Sequence, residues 1–240
     1  MLTYTYLKEH PKTFLAVTGL TVPEFVQLLP TFETQYQQAY PPTRRVDGQV
    51  RQRRAGAGRK ARLANMEDKL LFSLCYHKLY SLQTAHGLHF GMSQGRANEW
   101  IHRLSPLLQA SLDQLGMSPL REGQQVRDSP LAQEGALDLL IDGTERRRQR
   151  PQDALEQKAH YSGKKKTHTD KNILVSQVHS RKVVYLSPTT SGAVHDKKLA
   201  DASDLAYPDQ TILSKDTGFQ GYEPPQTLTL QPQKSRKDVL

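Results

Sequence analysis

Sulfur chemistry has little place in this chain. The only cysteine is Cys75, inside the helical run LLFSLCYHKLY. A lone thiol closes no internal disulfide and builds no zinc site, so the fold needs no oxidising compartment. Cys75 reads as a small buried apolar residue. Long apolar runs are missing too, so no segment is suited to span a membrane. The N-terminus MLTYTYLKEHPKTF lacks the basic start and apolar core of a secretory signal. These exclusions predict a soluble, cytoplasmic, bacterial-type protein with no membrane partner. Acid is also in short supply: 33 Lys and Arg stand against 24 Asp and Glu, for a formal net charge of +9. That balance points to a polyanionic partner, without fixing the fold. With 240 residues the chain has room for one good-sized core or two small domains.

What is present divides the chain. Residues 1–40 predict a helical N-terminal module. Thr21 is placed as an N-cap, with Pro23 and Glu24 in the first turn. Phe25, Leu28, Leu29 and Phe32 recur at helical spacing, and Pro30 bends or ends the first piece. Residues 41–64 form a basic arm. Within 41–62 there are eight basic residues, one acid, three glycines and two prolines. Such a run is either a solvated linker or a strand of phosphate contacts, and the mutual repulsion of its cations favours the second. Arg51, Arg53, Arg54, Arg59, Lys60 and Arg62 are the candidates.

Residues 65–116 predict a helix with Met66, Leu70, Leu71, Leu74 and Leu79 on one broad face, then a short helix, a tight turn at Gly91, and a long helix capped by Ser93. Pro106 kinks or splits that long helix. The order suits a helix-turn-helix, whose second helix enters the major groove by its N-terminal end. Here that end carries Ser93, Gln94, Arg96 and Asn98, with Arg103 further along, all side-chain types that read base edges or phosphates. A plain helical hairpin with a polar face is the alternative, and the preceding basic arm favours DNA.

Residues 117–135 are polar, with glycines and prolines, and read as a linker. From residue 136 the period changes. GALDLLIDGTE, NILVSQVHS, KVVYLSPTT, DQTILSKDTGF and TLTLQPQ predict strands, and AVHDKKLADASDLA a helix, so residues 136–240 form an α/β or α+β domain around a mixed sheet. Two strands end alike, at Asp142 and Asp216. If they are neighbours, both carboxylates leave the same edge of the sheet. Two such carboxylates repel unless a cation bridges them, and hard oxygen donors suit Mg²⁺ or Mn²⁺. On the other reading each Asp only caps a turn. Arg146 and Arg147, directly after Asp142, would then handle a DNA backbone.

The stretch IDGTERRRQRPQD…QKAHYSGKKKTHTDKNILVSQ…SPTTSGAVHDKKLAD…LSKDTGFQGY resembles the DDE-class transposases of bacterial insertion sequences, in the group with an N-terminal helix-turn-helix. The likeness spans about residues 50–240. It implies a multidomain protein, an all-α DNA-binding domain followed by an RNase H-like α/β domain, with an Asp-Asp-Glu triad on two Mg²⁺ or Mn²⁺ ions. Asp142 matches the first Asp and Asp216 the second, as catalytic and metal-binding residues. Lys164, Lys165, Lys166 and His168 match a basic segment expected near DNA. His195-Asp196 matches a motif whose role the sequence leaves open. The implied activity is hydrolysis at the element's ends followed by strand transfer. The partners would be terminal inverted repeats and target DNA, bound by a self-associated protein at the nucleoid. The family's third acid, a Glu on a later helix, has no counterpart. Glu223 lies in GYEPP, where prolines forbid a helix, and Asp238 lies at the fraying terminus. The catalytic domain therefore reads as incomplete and the chain alone as inactive or nearly so. It would be the first frame of a frameshifted pair or a truncated copy. The alternative is a non-catalytic product that occupies the ends as a repressor.

Overall fold

Local sequence sets the helices of the N-terminal half. The structure, a computed structural model, describes residues 1–43, 49, 50, 52, 61–129 and 138–232. Helices α1 (Tyr4–Leu7), α2 (Pro11–Thr18) and α3 (Val22–Ala39) come first. Thr21 and Glu24 close a capping box at the start of α3: Thr21 N–H donates to Glu24 Oε2 at 2.7 Å, and Glu24 N–H donates back to Thr21 Oγ1 at 3.4 Å. Neither inner proline ends its helix: α3 runs through Pro30, and α6 (Gln94–Gln114) runs through Pro106. Each proline forfeits one backbone bond, and the buried neighbours Leu28 and Phe32, or Leu104, Leu107 and Leu108, hold the helix together.

Between them lie α4 (Met66–Leu79) and α5 (Gln83–His89). A left-handed Gly91, φ +66°, makes the turn into α6. Gly87 lies so close beneath that turn that a Cβ would meet the Met92 carbonyl at 2.7 Å. One core joins Leu7, Phe14, Phe25, Leu28 and Phe32 to Leu70, Leu71, Phe72, Phe90, Leu104 and Leu108. Residues 1–40 and the three helices α4–α6 thus fall in one compact unit, Met1–Ser118. Cys75 is 1% exposed, and burial pushes its thiol up to about 12, as suits an inert packing residue.

This core also holds a histidine. His86 is 1% exposed, packed against Phe72, Tyr76 and Phe90, and burial lowers its pKa from 6.5 to about 4. The neutral ring folds well, so its contribution is complete above the unfolded pKa. It is lost as pH falls from 6.5 towards 4, by roughly 3 kcal/mol. The thermal midpoint of this unit should therefore drop between pH 7 and pH 4. His86→Leu should flatten that drop, and equal slopes for the two proteins would refute the assignment.

The second unit is Pro119–Leu240. Its sheet begins with β1 (Asp138–Arg147), and β3 (Thr167–Gln177) runs antiparallel along nearly all of it, from Leu139 opposite Gln177 to Arg147 opposite Thr169. Strands β2 (Tyr161–Ser162), β4 (Val183–Leu186) and β5 (Thr190–Ser191) also pair with β3. On the other side of β1 lie β6 (Thr211–Lys215) and then β7 (Thr227–Leu230), both parallel. Helix α7 (Ala154–His160) precedes β2, and α8 (Asp196–Ala202) makes the crossover before β6. The five strands and the helix expected from sequence are present, in a mixed sheet with helices. Leu139, Ile141, Ile173, Val175 and Leu213 alternate onto one fully buried face, covered by Leu199, Tyr207 and Phe219. The register puts Leu140, Asp142, Leu228 and Leu230 on the other, exposed face. Residues 119–129, within the stretch read as linker, pack here. Leu120 exchanges backbone hydrogen bonds with Val184 and Leu186, and Val126 is fully buried. No single helix among the described residues is long and apolar enough to cross a membrane.

Candidate functional site

The sheet register brings the two aspartates together. Leu140 pairs with Ser214 and Ile141 with Lys215 in parallel, so the next step sets Asp142 beside Asp216. Neighbouring strands lie about 4.8 Å apart. Asp216 keeps extended backbone, φ −83° and ψ 178°, as β6 ends. Both residues are exposed. Asp142 does not end its strand as expected, because the pairing with β3 carries β1 on to Arg147, whereas Asp216 does cap the turn after β6. Asp142 Oδ1 accepts from the Gly143 N–H at 2.8 Å, and Asp216 Oδ1 from the Gly218 N–H at 2.8 Å. One oxygen of each carboxylate is thereby oriented by the backbone.

Asp216 lines a cleft of about 410 Å³ with Glu145, Lys171, Asp196, His195 and Lys164. Asp142 stands on the adjacent strand and is not part of its wall. Glu145 and Lys171 are direct cross-strand partners on the buried face. Lys171 Nζ lies 3.4 Å from Glu145 Oε1 and 2.9 Å from Asp196 Oδ1, and it donates to the Val194 carbonyl at 2.8 Å. Burial opposes ionisation of Glu145. Bonds from Ser162, Thr169 and Lys171 outweigh it and hold the carboxyl below its usual range. Sequence reasoning left Glu145 and Lys171 unremarked. Their signal is phase: each falls in step with buried neighbours, Ile141 on one strand and Ile173 and Val175 on the other.

Hard divalent cations take oxygen donors, and Mg²⁺ is commonly held by one or two carboxylates with waters and substrate phosphates. Asp142 and Asp216 are oxygen donors of that kind, one residue beyond the last β1–β6 pair. Among the described residues no group of three or more His, Cys, Asp or Glu side chains is arranged to hold a metal. Glu223 is engaged elsewhere, 2.6 Å from Lys215 Nζ and 2.5 Å from Thr229 Oγ1, which keeps its pKa low. Asp238 lies outside the described residues.

Basic residues flank this cleft. Lys164, Lys165 and Lys166 occupy the exposed tip between β2 and β3, where Lys166 turns left-handed at φ +54° and its N–H donates to the Ser162 carbonyl. His168 packs edge-on to Tyr161. Of the arginines after Asp142, Arg147 is exposed, whereas Arg146 is tied to Asn172 Oδ1 at 2.7 Å and Arg148 to Asp170 at 3.1 Å.

In the first unit, Arg62, Ser93, Arg96 and Arg103 gather around a cleft of about 620 Å³ at the start of α6. Arg103 stacks on Trp100 and Tyr40, and Arg96 pairs with Glu99 at 2.6 Å. Gln94 and Asn98 instead converge on Gln83 Oε1, at 2.7 and 3.1 Å, joining α6 to α5. Arg51, Arg53, Arg54, Arg59 and Lys60 lie outside the described residues.

No curated protein and no solved structure matches the chain. Two family descriptions do. Residues 61–114 match the helix-turn-helix of DDE superfamily endonuclease, over α4–α6, and residues 141–238 match the DDE superfamily endonuclease, from β1 past β7. With the helix-turn-helix first and the sheet bearing Asp142 and Asp216 second, the chain belongs to the DDE superfamily of transposase-type endonucleases with an N-terminal helix-turn-helix.

Proposed function

We propose that this protein binds the ends of its own insertion sequence and carries two carboxylates of a metal-dependent phosphodiester hydrolysis and strand transfer. One observation carries the reading: the parallel register of β1 and β6 that makes Asp142 and Asp216 neighbours. Endonucleases of this superfamily generally use divalent metals. A bound Mg²⁺ or Mn²⁺ would supply an activated water and neutralise charge at phosphorus. Asp142 and Asp216 would hold it. Lys164, Lys165 and Lys166 meet the backbone phosphates nearby, with Arg147 and His168 beside them. Ser93, Arg96, Arg62 and Arg103 seat DNA at the start of α6, and Arg146, Gln94 and Asn98 act by holding those surfaces in shape. An RNase H-like sheet is supported by the order of pairing, antiparallel through β1, then parallel after the α8 crossover. Action on paired ends entails self-association.

The test uses supercoiled plasmid carrying the DNA that flanks the gene, with Mn²⁺. Wild type is expected to bind it and to nick it at most weakly, with two carboxylates and no third among the described residues of the site. Asp142→Asn should abolish nicking while end binding is unchanged. Nicking that survives the substitution sinks the assignment of Asp142. Tight end binding with no nicking by wild type would leave a DNA-binding protein that occupies the ends without cutting, the repressor reading.

A further inference from the structure

His195-Asp196 is the motif the reading above does not use. His195 caps α8, its ring accepting from the Lys197 N–H at 3.4 Å, so Asp196 opens the helix at a fixed height. Its carboxylate reaches into the space between two glycines. A Cβ at Gly143 would lie 2.7 Å from Asp196 Oδ1, and one at Gly218 would lie 2.8 Å from Asp196 Oδ2. That same point beside Gly218 is 2.9 Å from Asp216 Oδ1. These two glycines are the residues whose N–H groups orient Asp142 and Asp216. The carboxylate therefore backs both glycines at once, Gly143 within β1 and Gly218 in the turn after β6. It occupies volume that any side chain at 143 or 218 would need.

Two carboxylates this close repel, and the buried ammonium of Lys171 offsets the charge. Lys171 grips Asp196 Oδ1 and the Val194 carbonyl, two residues before it, so the start of α8 is anchored to β3. An oxygen already paired to a buried cation is a poor metal ligand. Its reach to both glycines makes it a good spacer.

We infer that Asp196, held by Lys171, is a positioning residue that sets the separation of Asp142 and Asp216 by wedging against the two glycines whose N–H groups orient them. The wedge rests on the metal reading for its consequence, not for its geometry. The experiment compares the full-length protein with Asp196→Asn and Asp216→Asn. Mn²⁺ affinity is measured by electron paramagnetic resonance, and the Gly143 and Gly218 amides by ¹H–¹⁵N NMR. In Asp196→Asn both glycine amides should shift, and Mn²⁺ should bind roughly 10–100-fold more weakly at unchanged stoichiometry. Asp216→Asn should lose binding altogether. Unchanged affinity in Asp196→Asn overturns the wedge. So does complete loss matching Asp216→Asn, which would make Asp196 a ligand. If Asp196→Asn does not fold, Gly143→Ala presses on the same contact from the opposite side and should weaken Mn²⁺ binding to a similar degree; unaltered binding refutes the wedge. If wild type binds no Mn²⁺, the metal reading fails, and the amides judge the wedge alone: both shifted upholds it, either one unmoved overturns it.

Discussion

Replacing Lys171 with methionine should cost the second unit about 3–5 kcal/mol at neutral pH, because removing one partner leaves buried carboxylates without their counter-charge. The Lys171 side chain is 7% exposed and that of Glu145 8%, so water cannot take over the lost interaction. The loss should depend on pH. In wild type the Glu145 pKa lies below its ordinary value of 4.5, so the pair's contribution is present above that value and fades as pH falls through the depressed one. Without the ammonium, only the bonds from Ser162 and Thr169 are left to oppose burial. The penalty is then largest near neutrality and shrinks as acid protonates the carboxyls. Urea unfolding of wild type and Lys171→Met at pH 7 and pH 4 would show it. A gap that stays constant with pH would show that the lysine stem, not its charge, holds the strands. Adding Glu145→Gln to Lys171→Met should recover part of the loss, since a neutral side chain is cheaper to bury than an unpaired charge.

That network marks where sequence reading stopped. Asp142 and Asp216 were legible because each ends a short apolar run before a glycine, and strand periodicity survives even where pairing is unknown. Their adjacency was only conditional in the sequence, since parallel pairing of β1 with β6 depends on the whole crossover through α8. Lys171 was hidden by its company. The segment KKKTHTDK reads as a solvated basic run, yet β3 begins at Thr167 and its odd-numbered residues from Thr169 on are buried. Asp196 stood out as part of a motif, but its neighbours Gly143 and Gly218 are 53 and 22 residues away in sequence. Spatial contacts of that kind leave no local trace. Residues 1–40 pose the same problem: their caps and helical spacing were plain, while the core they complete is formed by residues beyond the basic arm.

That shared core gives the other large effect expected. Phe25 in α3 is fully buried, stacked on Tyr4 at 4.9 Å and edge-on to Phe14 at 5.3 Å. Phe25→Ala should cost about 3–5 kcal/mol, the transfer free energy of the ring plus the cavity left behind. Domains of this size are stable by only about 5–15 kcal/mol, so much of the reserve goes with one side chain. The damage should reach α4–α6, because Tyr4 N–H bonds Asp68 Oδ1 at 2.8 Å and the α2, α3, α4 and α6 side chains fill one cluster. The first unit should then melt as one cooperative step, about 12–20 °C below wild type. Above that midpoint, binding to end DNA should vanish, although Phe25 lies in none of the surfaces assigned to DNA. Far-ultraviolet circular dichroism and DNA binding, followed over one temperature ramp, would show coincident losses. If α4–α6 kept binding DNA after residues 1–40 had unfolded, the helix-turn-helix would be an independent domain, and its N-terminal helices a separate addition to it.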